Sequence, residues 1–266
     1  MNLSFPVSLR IFQSGINDHN FSGFRPPRAF LRFVWARPHL YRWYAKWLNG
    51  YEIFDRTFDL VFDGFPRSGN SYSIQMLTVT QEAKLKLLSH SHCPPFLLAP
   101  LELNVPVCLA LRQPEDAILS WVIMRKLPVD VVLKLYIDFH QVLLPYRSQI
   151  LVLNFSTITE DFPTVLRLIN RRFGMTLNIP SDFDACKKEA FQRIDRHYEG
   201  QVGGYDPLKV ARPHPKRDEV KDEIRQKLHH GRNAQLLTKC TELYEAFNRE
   251  AIRELQALTP APARAA

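Results

Sequence analysis

Residues Gly64-Phe65-Pro66-Arg67-Ser68-Gly69-Asn70-Ser71 have the make-up of an anion cradle. They lie between an apolar run, Leu60-Val61-Phe62, and an apolar stretch of helical character from Tyr72 to Val79. A strand, a glycine-bounded turn and a helix in that order turn exposed N–H groups and the positive end of a helix dipole towards an oxyanion.

The glycine spacing, G-x-x-x-x-G, is that of a Walker A loop, where a Lys after the second glycine reaches the β- and γ-phosphates. Here Asn70 follows Gly69. A cradle without that Lys suits a nucleotide that has no β/γ-phosphate chain. The next strong strand candidate, Val105 to Leu111, runs into Arg112. P-loop nucleotide hydrolases carry a carboxylate for Mg²⁺ at the end of such a strand, whereas a cation there favours an anion. Pro114-Glu115-Asp116 reads as a first helical turn. Ser120, two turns on, brings a hydroxyl back towards the strand end, so Arg112 and Ser120 together suit one further phosphate. Plainer roles stand beside these: Ser68 and Asn70 as helix caps, Arg112 in a surface ion pair, Ser120 as an exposed helical serine.

With both segments in view, a family resemblance emerges. Pro66-Arg67-Ser68-Gly69-Asn70-Ser71 resembles the 5′-phosphosulfate loop of sulfotransferases that use PAPS, 3′-phosphoadenosine 5′-phosphosulfate. Arg112-Gln-Pro-Glu-Asp-Ala-Ile-Leu-Ser120 resembles their 3′-phosphate motif, with Arg and Ser at the same separation. The order and approximate spacing agree, and the resemblance covers roughly residues 58 to 175. It implies PAPS as co-substrate without a metal. Arg67, Ser68, Gly69, Asn70, Ser71 and Tyr72 would surround the 5′ end, and Arg112 and Ser120 the 3′-phosphate. The family's loop cation is commonly Lys; Arg67 keeps the charge and adds a bidentate fork.

The family's Lys-Thr-His-x-Pro segment falls on Ser89-His90-Ser91-His92-Cys93-Pro94. His92 thereby matches the residue that takes the acceptor's proton, and His90 stands where the Lys would be. Imidazole titrates near neutral pH, which suits that step. Arg67 and loop N–H groups would stabilise charge on the bridging oxygen and 5′-phosphate. A loop histidine bonded to backbone is the plain reading of His92, and His90 reads as structural. The family closes its 3′-phosphate site with a late Arg-Lys-Gly loop and a Gly-x-Trp. Lys216 and Arg217 stand in that region without the Gly and Trp, and a solvated basic loop fits them equally. Phe155-Ser156 replaces the family's Tyr-Glu, so any adenine contact from Phe155 would be stacking without a phenol.

The strand and helix patterns around these groups predict an α/β fold of P-loop-like, three-layer form, a central parallel sheet flanked by helices. Ile150 to Leu153 supplies another strand and Lys84 to Leu88 a short one. Helical stretches are expected at Pro128–Tyr146, Thr157–Phe173 with Gly174 as stop, Asp182–Tyr198 and Asn233–Leu258. Residues 1–57 read as an arm and an aromatic, basic helical segment, 58–258 as the sulfotransferase-like domain, and 259–266 as a disordered tail. Residues 29–51 fit a helix packed on the core better than one lying on an anionic membrane, because Pro38 interrupts the period.

With 266 residues, 45% hydrophobic and 23% charged, the chain can bury a full core. Its net charge of +8 suits nucleic acid, a membrane surface or an anionic ligand alike, and an anionic cofactor accounts for only a few of those charges; no reader motif points to nucleic acid. Cys93, Cys108, Cys186 and Cys240 show no metal spacing and fit a reducing compartment. No apolar run spans a bilayer and no secretory signal stands out, so a cytoplasmic protein is expected. The expected activity is sulfuryl transfer to a hydroxyl or amine of a small-molecule, glycan or lipid acceptor. Two other classes fit less well: an ATP-using P-loop transferase or kinase, and a catalytically idle nucleotide- or membrane-binding relative.

Overall fold

The structure is a computed structural model that describes Arg37, Leu40 and residues 58–199 and 218–258. The expectations for the arm, the segment 29–51, Lys216, Arg217 and the tail lie outside those residues, apart from Arg37 and Leu40. Four parallel strands, β1 (Leu60–Gly64), β2 (Leu87–Leu88), β3 (Val107–Leu111) and β4 (Leu151–Asn154), form one sheet in the order β2-β1-β3-β4. Between and after them run α1 (Asn70–Thr80), α2 (Pro95–Glu102), α3 (Pro114–Arg125), α4 (Val129–Leu143), α5 (Phe155–Glu160), α6 (Phe162–Phe173), α7 (Phe183–Glu199), α8 (Asp218–Leu228) and α9 (Gly231–Leu258).

Helices cover both faces of the sheet, as an all-parallel sheet requires. Along β3, Val107, Leu109 and Leu111 join one buried cluster with α2, α3, α4 and α9, while Cys108 and Ala110 join another with α1, α6 and α7. β1 splits likewise, Val61 to the first face and Leu60 and Phe62 to the second. This period-2 division makes the three layers. None of the four cysteines forms a disulfide.

Several element boundaries differ from the sequence expectation for local reasons. Pro106 has no N–H to give, so β3 begins at Val107, although the Pro106 carbonyl still accepts from Val61 N at 2.9 Å. Only Leu87–Leu88 of the expected 84–88 strand is regular, with Lys86 N held instead by Asp59 Oδ2 at 2.7 Å. The single helix expected over 157–173 is two. Asp161 breaks it and caps α6 by accepting from Thr164 N, with a proline in the first turn, and Gly174 at φ 66° ends it. No pattern announced α2 or α8.

This topology fixes where a ligand goes. After β1 the chain first adds β2 on one side and then β3 on the other, so the crevice between the carboxyl ends of β1 and β3 is the switch point of the sheet. Gly64 closes β1 there. A β-carbon at this position would lie 2.4 Å from the Ala110 carbonyl oxygen, so only glycine lets the strands pair to their ends.

Candidate active site

The loop after β1 is anchored by its one large apolar side chain. Phe65 is fully buried and meets Trp121, Tyr136 and Phe139 edge-on at 5.0, 4.8 and 5.9 Å between ring centres. The chain then turns back on itself. Ser68 N donates to Phe65 O at 3.2 Å, Arg67 takes a left-handed φ of 72°, and Gly69 follows at φ 99°. Gly69 is the N-cap of α1 and supplies no side-chain cap, so the first amides of that helix face the crevice as donors.

Both expected cations stand at this edge. Arg112 Nη1 donates to the Arg67 carbonyl at 2.9 Å, and its guanidinium lies 4.1 Å over the Phe155 ring at the start of α5. Tyr136 Oη donates to the Arg112 carbonyl at 3.2 Å, fixing the exit from β3. Arg67 turns across the crevice to α3, where Nε donates to Ser120 Oγ at 2.9 Å and Nη1 to Met124 Sδ at 3.4 Å. Ser120 was expected to serve Arg112; its hydroxyl accepts from Arg67. The left-handed turn at Arg67 is what aims its side chain at α3. The two anticipated grips are therefore joined, Arg112 to the Arg67 backbone and Arg67 to Ser120.

His92 lies behind the loop. Its Nδ1 is 2.7 Å from the Gly64 carbonyl, an acceptor only, so Nδ1 carries the hydrogen and Nε2 the lone pair. The side chain is 16% exposed. His90 and His92 both adopt left-handed backbone, φ 59° and 50°, a conformation that costs a non-glycine residue about 1 kcal/mol or more. His90 Nε2 pairs with Ser71 Oγ at 3.0 Å. Burial, then the neighbouring His92 ring at 5.9 Å, push the His90 imidazole down to about 4. It is neutral at pH 7 and cannot replace the fixed cation of a Lys.

What holds this loop pair together is a residue the sequence reading passed over. Asp63, fully buried, accepts from Gly64 N at 2.8 Å and Asn70 Nδ2 at 3.0 Å through Oδ1. Through Oδ2 it accepts from Ser91 N at 2.8 Å, His92 N at 3.0 Å and Ser91 Oγ. One carboxylate thus ties the end of β1, the start of α1 and the histidine loop. The sequence signal was there, an Asp inside the apolar strand Leu60-Val61-Phe62-Asp63-Gly64.

The remaining expected residues are placed as follows. Ser68 and Asn70 are buried, and Asn70 Nδ2 also reaches Gly64 O at 3.3 Å. Tyr72 points into the core, 5.3 Å from Phe191 and 6.2 Å from Phe162, so it does not join the loop's open side. Its hydroxyl has no partner among the described residues, and burial raises its titration well above the ordinary phenol range. Lys216 and Arg217 are outside the described residues. Among the described residues no cluster of three or more His, Cys, Asp or Glu is placed to hold a metal ion. No helix among them is long and apolar enough to cross a membrane.

No family model and no curated protein matches the chain. Among solved structures, a mouse sulfotransferase, SULT7A1, complexed with PAP is similar at 13% identity and a TM-score of 0.41, over 72% of this chain and 90% of that one.

Proposed function

We propose that this protein transfers a sulfuryl group from PAPS to a hydroxyl or amine of a small-molecule, glycan or lipid acceptor, without a metal. The observation that carries the reading is the shared edge. Arg67 and Arg112 meet through a 2.9 Å hydrogen bond at the switch point of the sheet, beside an uncapped helix start and a histidine whose free ring nitrogen is Nε2. A nucleotide with two separated anionic groups suits two such cations.

The residues fit that ligand. The uncapped amides of α1 and the Arg67 guanidinium would hold the 5′ anion, with Ser68, Gly69, Asn70 and Ser71 shaping the cradle. Arg112, with Ser120 within reach of the same crevice, would hold the 3′-phosphate, with Lys216 and Arg217 as candidates to close it. When bound, PAPS supplies the sulfuryl group and departs as adenosine 3′,5′-bisphosphate. His92 Nε2 takes the proton of the acceptor hydroxyl or amine, and its Nδ1–H bond to Gly64 O keeps the ring aimed as that charge forms. Arg67 offsets the negative charge gathering on the bridging oxygen.

Phosphoryl transfer from ATP fits less well. Asn70 occupies the position of the phosphate-reaching Lys, is 4% exposed, and has its amide committed to Asp63 and Gly64.

The test is transfer itself. PAPS labelled in its sulfuryl group, incubated with the protein and an extract of the source cells in EDTA, is expected to label an organic product identifiable by mass. Label released only as inorganic sulfate, or transfer that requires Mg²⁺ and ATP, would overturn the reading.

A further inference from the structure

We infer that Asp63 is a positioning residue that sets the tautomer of His92. The inference rests on the reading of His92 as the base. Three polar atoms crowd His92 Nδ1. Two are acceptors, Gly64 O at 2.7 Å and Asp63 Oδ1 at 3.4 Å. The third, Asn70 Nδ2 at 3.1 Å, is a donor. These call for opposite tautomers. Bonded to Gly64 O, Nδ1 carries the hydrogen and Nε2 is a base. Bonded to the Asn70 amide, Nδ1 is the acceptor, the hydrogen moves to Nε2, and the ring cannot take a proton from an acceptor group there.

Asp63 decides between them. Asn70 Nδ2 has two hydrogens, and Asp63 Oδ1 at 3.0 Å and Gly64 O at 3.3 Å absorb both, leaving none for the imidazole. The same contacts fix the amide orientation, since Asp63 Oδ1 and Gly64 O, both acceptors, lie at Nδ2 while Asn70 Oδ1 has no partner among the described residues. The carboxylate adds a second acceptor beside the Nδ1 hydrogen and, through Oδ2, holds the His92 backbone N–H. Asn70 thereby gains a meaning in the position where a phosphate-binding Lys is absent. It is a strut between the strand-end carboxylate and the base, and it is also the group that would mis-set the base if the carboxylate were lost.

Asp63→Asn separates this role from simple bracing, because it keeps the shape but removes the charge and half the accepting capacity. With histidine ¹⁵N labels and no nucleotide present, the unaltered protein is expected to show His92 Nδ1 as the protonated, pyrrole-type nitrogen and Nε2 as pyridine-type. In Asp63→Asn the two should exchange character, wholly or in part. Adding Asn70→Ala removes the competing donor and should return the hydrogen to Nδ1. Turnover with PAPS in Asp63→Asn should fall by on the order of 10²- to 10⁴-fold, with KM for PAPS within about threefold. An unaltered protein protonated at Nε2, or an Asp63→Asn protein that keeps the hydrogen on Nδ1, overturns the inference. Should Asp63→Asn fail to fold, Asp63→Ser removes the carboxylate with room for water and is read against the same outcomes. The tautomer is read without substrate, so an absence of sulfuryl transfer and a failure of this inference are told apart.

Discussion

His92→Ala is expected to lower kcat for sulfuryl transfer by about 10²- to 10⁴-fold while leaving affinity for adenosine 3′,5′-bisphosphate within roughly threefold. The split follows from where the ring stands. Its contacts run to Gly64 O and Asp63, on the protein side of the loop, and Nε2 is the atom left for a substrate. The donors proposed for the nucleotide, the α1 amides and the two guanidinium groups, do not depend on the imidazole. The lost bond to Gly64 O costs about 1 kcal/mol of stability, too little to unfold the protein. Steady-state kinetics with calorimetric titration of the product nucleotide gives both numbers from one preparation. A variant that retains full turnover would make His92 a loop histidine that only braces Gly64; a parallel loss of nucleotide affinity would mean the ring supports the cradle.

The second large effect is at Arg112. Arg112→Ala should weaken adenosine 3′,5′-bisphosphate by about 10- to 100-fold, the worth of a charge-assisted hydrogen bond. Adenosine 5′-monophosphate should weaken by only a few-fold, on the order of the 0.5–1.5 kcal/mol of an ordinary hydrogen bond. That smaller loss arises because Arg112 Nη1 also supports the Arg67 carbonyl, so its removal loosens the 5′ cradle slightly. Equal losses for both nucleotides would reject a 3′-phosphate contact. Comparison with Ser120→Ala is informative, since Ser120 accepts from Arg67: this variant should disturb the 5′ end at least as much as the 3′ end.

The strand-loop-helix was legible because its requirements are local. Gly64 is demanded by Ala110 across the sheet and Gly69 by a left-handed turn, and both stand out in the chain. Burial of each strand on two faces leaves continuous apolar runs, and these gave β1, β3 and β4 to within two residues. What depends on side-chain direction was not legible. Ser120 follows Arg112 by eight positions in the chain, which suggested a pair, yet nothing in that spacing says that Arg67 turns across the crevice to take the hydroxyl. Tyr72, at the head of the expected helical stretch, was set beside the 5′ end by the resemblance, but the first turn of α1 carries it round to Phe162 and Phe191. Asp63 was overlooked because its donors come from Asn70, Ser91 and His92, up to 29 residues on, and only the folded chain brings them together. Asp161 broke a helix that apolar periodicity alone would have continued, because a capping carboxylate followed by proline outweighs the pattern.

One crevice, between the ends of β1 and β3, is proposed to grip both anionic ends of a single adenylate without a metal. Isothermal titration in EDTA tests it directly. Adenosine 3′,5′-bisphosphate should bind at least tenfold tighter than either adenosine 5′-monophosphate or adenosine 3′-monophosphate, a difference of about 1.4 kcal/mol or more, and tighter than ATP. Binding of the bisphosphate no tighter than that of a monophosphate, or a preference for ATP that appears on adding Mg²⁺, would contradict it.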